Sequence, residues 1–142
     1  MSGVRKKDQA EHRFSVLDAI LDMYDHTTNV ISNEKIFDPK FQKLIDEIDY
    51  YAKDIYHKCR VANEELDNRV EDEARMRIEL EEEAMEMCKW LKTDIMLAQR
   101  KFHLRARKVT YWKGLVDEAR NSISNWNASE KRHYKQTFIH GL

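Results

Sequence analysis

The sequence predicts an all-α fold, an antiparallel four-helix bundle with a short basic C-terminal tail, and three observations carry that expectation. The 142 residues include only three Gly (Gly3, Gly114, Gly141) and one Pro (Pro39), whereas strand-rich folds need turn residues at short intervals. Val109, Trp112, Val116, Ala119, Ile123 and Trp126 recur at spacings of 3, 4, 3, 4 and 3. That spacing keeps all six on one face of an α-helix. Two tryptophans make the face too apolar to remain in water, so another helix must cover it. Finally, the length suits one domain able to bury a real core.

The first helix is expected from about Asp8 to Ile31, with Phe14, Leu17, Leu21 and Tyr24 on one seam and residues 1–7 a basic extension. Ser32 to Phe37 breaks the pattern and reads as a loop. Asp38 can cap free backbone N–H groups, and Pro39 suits a first helical turn because its missing N–H costs nothing there. The second helix then follows from Ile45, Ile48, Ala52, Ile55, Cys59 and Ala62 at 3 and 4 spacing.

No Gly or Pro occurs between Pro39 and Gly114, so the second turn is placed at Asn63 to Asn68, the best local turn formers available. A long third helix to about Phe102 carries Val70, Ala74, Ala84, Cys88, Leu91, Ile95, Ala98 and Phe102 in phase. Arg77 and Glu81 interrupt that seam, which implies a first half open to solvent or to a partner. His103-Leu104 marks the third turn. The fourth helix carries the tryptophan seam and is expected to end near Asn125 to Ser129. The bundle is thus assigned to residues 8–128 and a basic aromatic tail to 129–142.

Formal net charge is only −1, but its distribution is uneven. Val61 to Trp90 holds four Lys/Arg against eleven Asp/Glu, a net of −7, while Gln99 to Leu142 holds ten against three, a net of +7. The acidic segment spaces Glu71 and Arg75, Glu73 and Arg77, Arg75 and Glu79, and Arg77 and Glu81 four apart, a pattern that supports an exposed helix. The basic segment supplies the candidate nucleic-acid contacts: Arg105, Arg107, Lys108, Lys113, Arg120, Lys131, Arg132 and Lys135. Clustered Lys and Arg suit phosphates because neutralising them releases condensed counterions. The same cations could instead meet the acidic third helix of this or another subunit.

Chemistry-bearing motifs are sparse. Asp54 to His57 and Glu130 to His133 both set a carboxylate three residues before a histidine, as di-iron bundles do. However, the first pair lies outside the apolar phase and the second lies beyond the fourth core helix, so no metal site is expected. No Gly-rich phosphate loop or nucleophile motif occurs, so no catalytic residue or cofactor is assigned. His12, His26, His103 and His140 read as surface or cap residues. Cys59 and Cys88 fall in apolar helical phase and read as buried thiols of a reducing cytoplasm. The sequon Asn127-Ala128-Ser129 reads as chance, since no hydrophobic signal core follows the basic N-terminus. No apolar stretch is long enough for a membrane span.

In its order of elements the chain resembles the accessory variability determinants of diversity-generating retroelements. The likeness covers roughly Phe14 to Ser129. It rests on the Pro-started second helix and on a long charged helix containing EAMEMCKWLKTDIMLA. A short turn in KFHLRARKVTYWKGLV and a closing helix ending NSISNWNAS complete it. The resemblance implies a non-catalytic helical bundle that assembles into ring-like homo-oligomers, commonly pentamers. It further implies binding to a reverse transcriptase and its template RNA or cDNA, in support of error-prone cDNA synthesis. The basic C-terminal helix and tail would then face nucleic acid. The alternative from a different class is a helical scaffold that self-assembles without binding nucleic acid.

Overall fold

A computed structural model of the chain describes the backbone of residues 2–139 and the side chains of residues 15–139. Four α-helices make up the described residues: α1 (Ser2–Ile31), α2 (Gln42–Glu64), α3 (Glu71–Phe102) and α4 (Ala106–Tyr134). Each packs on its two neighbours, α1 on α2, α2 on α3, α3 on α4 and α4 on α1, closing a four-helix bundle around one core. Arg77–Ala62 and Lys58–Glu83 across α2 and α3, and Arg77–Glu130 and Lys92–Asp117 across α3 and α4, step in opposite chain directions, so these neighbours are antiparallel. None of the helices is long and apolar enough to cross a membrane, among the described residues.

The α2 seam is buried throughout, from Ile45 to Ala62. Asp38 caps the turn before it, its side chain accepting from the Lys40 N–H at 2.9 Å, with Pro39 in the first turn. The second reversal occupies residues 65–70, overlapping the predicted break. At the third, His103 adopts the left-handed conformation (φ 55°), and the N–H groups of His103 and Leu104 both bond to the Gln99 carbonyl. Histidine tolerates this region better than most non-glycine residues, which is how the chain reverses there without Gly.

Four expectations need correction. On α1 the buried positions are Val16, Ile20, Met23 and Thr27, one row over from the predicted seam, and Leu17 and Tyr24 are only partly buried. Phe14 lies outside the described side chains. Thr27 explains the displacement: its hydroxyl donates to the Met23 carbonyl (2.7 Å) and accepts from Trp112 Nε1 (2.9 Å), so a polar residue completes the buried row. Phe37, read as loop, is a core residue stacked near Phe102 (centroids 4.4 Å apart). Val70 is half-exposed and precedes α3 instead of joining its seam.

The largest correction concerns the first half of α3 and the end of α4. Arg77 and Glu81 are only 4% and 0% exposed, and α4 runs past Ser129 to Tyr134, burying Trp126, Asn127 and Glu130. Arg77 directs Nε and Nη2 to Glu130, and its Nη1 to the carbonyls of Ala62 (2.6 Å) and Leu66 (2.8 Å). The last carbonyls of a helix have no partner within it, and Arg77 supplies one at the end of α2. Trp126 Nε1 also donates to Glu130, at 3.0 Å, and Arg77 lies 5.8 Å from the Trp126 ring centre. A charged side chain in the seam therefore marks an internal clasp of three helices.

Candidate nucleic-acid interface

Three of the eight candidate cations converge. Arg105, Arg107 and Lys108 sit at the start of α4, beside the loop that follows α1, and line a cavity of about 540 Å³ with His26, Asn29, Tyr111 and Trp112 among its walls. Arg105 occupies the position before the first helical turn and makes no side-chain cap. The first N–H groups of α4 thus lie at the same helix end as three positive charges, a combination that favours anions.

The bundle brings further cations to this end that the sequence reading did not include. Lys40 and Lys43, from the segment entering α2, lie with Lys101 around a second concavity of about 520 Å³. Lys40 Nζ and Lys101 Nζ each stand 5.7 Å from the Phe41 ring centre. Residues 33–43 and 99–108 together hold eight Lys/Arg against two carboxylates. None of the eight is within ion-pair distance of a carboxylate among the described residues. Only the topology joins these segments, which lie some sixty residues apart in sequence.

The remaining candidates lie elsewhere. Lys113 and Arg120 occupy one flank of α4, with Arg120 close enough for its charge to act on the Cys88 thiol. Lys131, Arg132 and Lys135 are at the far end of the bundle; at 1.5 Å per residue, Lys131 is roughly 36 Å along the helix from Arg107. There the chain folds onto its own acidic segment. Lys131 pairs with Glu82 (3.4 Å), His133 Nε2 meets the Asn68 carbonyl (3.1 Å), and the Tyr134 hydroxyl donates to Glu71 (3.3 Å). The second option left open by the sequence, contact with the acidic helix of the same subunit, thus describes Lys131. None of the four expected pairs four apart forms among the described residues: Arg75 bonds Asp72 and Arg77 bonds Glu130 instead.

No protein-family model, curated protein or solved structure matches this chain.

Burial, and next the charge of Glu130, pushes the Glu81 carboxyl up to about 8, while Asn127 Nδ2 donates to it at 3.2 Å. Asp94 is raised to about 7 by burial, then by its hydrogen bond to Glu47. Two carboxyl groups sharing a proton can serve acid–base chemistry, and separately no group of three His, Cys, Asp or Glu able to hold a metal occurs among the described residues. Cys59 and Cys88 are free and buried, and burial pushes both thiols up, Cys88 to about 12. Neither is a nucleophile at neutral pH.

Proposed function

We propose that the protein is a non-catalytic accessory subunit that holds template RNA or cDNA by its backbone beside a reverse transcriptase, as its resemblance to accessory variability determinants implies. The observation that carries the nucleic-acid part is the bundle end at which eight cations have no ion pair among the described residues. Surface cations tend to settle on nearby carboxylates, as Arg60, Arg69, Arg75 and Lys131 do at the opposite end; a cluster left without them retains its full attraction for a polyanion. The reverse-transcriptase partner and a cytoplasmic setting rest on the resemblance.

Assembly into a homo-oligomer, with a pentameric ring as one form, belongs to the same proposal. Residues 64–83 hold ten carboxylates against three Arg at the end opposite the basic one, with Lys131, Arg132 and Lys135 beside them, and the remaining negative charge makes head-to-tail contacts between copies electrostatically complementary. Repeated copies would raise the effective concentration of modest phosphate sites. Co-expression with a reverse transcriptase encoded beside this chain tests the partner. Co-purification that survives nuclease treatment is expected, and its absence at low salt would remove the polymerase from the proposal.

The scaffold reading draws on a different observation. Trp90 (52% exposed), Leu97 and Tyr50 present apolar surface on the outside of α2 and α3. Self-association that resists high salt and is abolished by Trp90→Ser, together with no affinity for RNA, would favour it.

A further inference from the structure

We infer that the cavity beside Tyr111 receives one unpaired nucleotide of a single strand, its base inside and its phosphate at the Arg105–Arg107–Lys108 mouth. The inference rests on the backbone-binding proposal above and adds to it a place for a base. At about 540 Å³ the cavity falls within the range of small-molecule sites. Its lining is unlike that of a bare phosphate site. Val30, Ile36, Phe37 and Leu104 contribute apolar surface that an inorganic anion would leave unused.

An aromatic platform is present as well. Tyr111 is 60% exposed although it follows the cavity wall, and the His26 ring meets it edge-on, with centroids 5.0 Å apart at 76°. An aromatic face open to water beside cations is what a single-stranded base stacks upon. The polar groups around it are unused. The His26 ring, the Asn29 amide and the Tyr111 hydroxyl make no side-chain hydrogen bond among the described residues, whereas Trp112 Nε1 behind them is satisfied by Thr27. An amide both donates and accepts, as the edge of a base requires. Burial lowers the His26 pKa, so the ring is neutral near pH 7 and can do the same. A paired base within a duplex is stacked on both faces and cannot enter, so the occupant is unpaired.

Fluorescence polarisation on the full chain tests this with two labelled RNA hairpins, each closed by a non-nucleotide linker that leaves no unpaired loop base, one blunt and one carrying a short 3′ oligoadenosine overhang. The overhang should raise affinity about tenfold, the scale of one base stacked on an aromatic ring. Tyr111→Ala should bring the two affinities together, and Tyr111→Phe should keep them apart; the exposure of Tyr111 lets both variants fold, as circular dichroism would verify. Equal, salt-sensitive affinities for the two hairpins in the parent protein would overturn the inference and leave backbone binding standing. Adenosine monophosphate supplies the other arm. If it binds in a Tyr111-dependent way while neither hairpin binds, the cavity belongs to a free nucleotide; the strand is overturned as source, and the nucleic-acid proposal with it.

Discussion

Trp112 ties the bundle together at the scale of single residues. It is fully buried, packs near Phe37, and donates to Thr27 across the α1–α4 contact. Truncation of such a side chain costs about 3–5 kcal/mol, and Trp112→Ala is expected to lower Tm by on the order of 10 °C. Trp90→Ala, at a half-exposed position, should move it little; equal losses in thermal melts would contradict the seam assignment. Arg77 is a second such residue. Removing it alone leaves Glu130 buried without its partner, a cost of about 3–5 kcal/mol. Chemical denaturation should show Arg77→Met strongly destabilised and the double variant Arg77→Met/Glu130→Leu partly recovered. Glu81 adds a pH signature. Its folded pKa, about 8, exceeds the usual 4.5, so the folded state binds more protons between those values and stability falls as pH rises through that window. Glu81→Gln keeps a partner for Asn127 and should raise Tm at about pH 8 more than at about pH 5.

At the scale of elements, legibility followed how plainly apolar residues marked each face. The α2 seam runs from Ile45 to Ala62 without a polar interruption, and its reading from spacing matches the structure residue for residue. In α1 two adjacent rows compete, and the buried one ends in Thr27, whose hydroxyl finds Met23 and Trp112. Spacing and hydrophobicity alone favour the row of Leu17, Leu21 and Tyr24. In α3, Arg77 and Glu81 looked like breaks in a seam because their partners, Glu130 and Asn127, lie some fifty residues away in sequence. The same long-range contacts extend α4 beyond its expected end. Within the candidate site, Arg105, Arg107 and Lys108 were legible as a local cluster. Lys40, Lys43 and the cavity walls at His26 and Asn29 were not, since they join it only when the helices close.

At the scale of the whole molecule, a nearly neutral chain becomes a polar rod. Cations with no ion pair among the described residues crowd the end that holds the α3–α4 turn, and carboxylates crowd the other. Sedimentation at micromolar concentration should therefore show oligomers at low salt that shrink as screening increases. A monomer throughout would remove head-to-tail assembly. Nucleic acid should be held at the basic end, whereas the tail, partly engaged with Glu71 and Glu82, should matter less. A salt titration of RNA binding compares the parent with two charge-reversed proteins, Arg105→Glu/Arg107→Glu/Lys108→Glu and Lys131→Glu/Arg132→Glu/Lys135→Glu. Parent affinity should fall steeply with salt. The first triple variant should lose most of that affinity and its salt slope, and the second should retain the larger part of both. Equal losses in the two variants, or a parent with no salt-sensitive binding, would contradict the account.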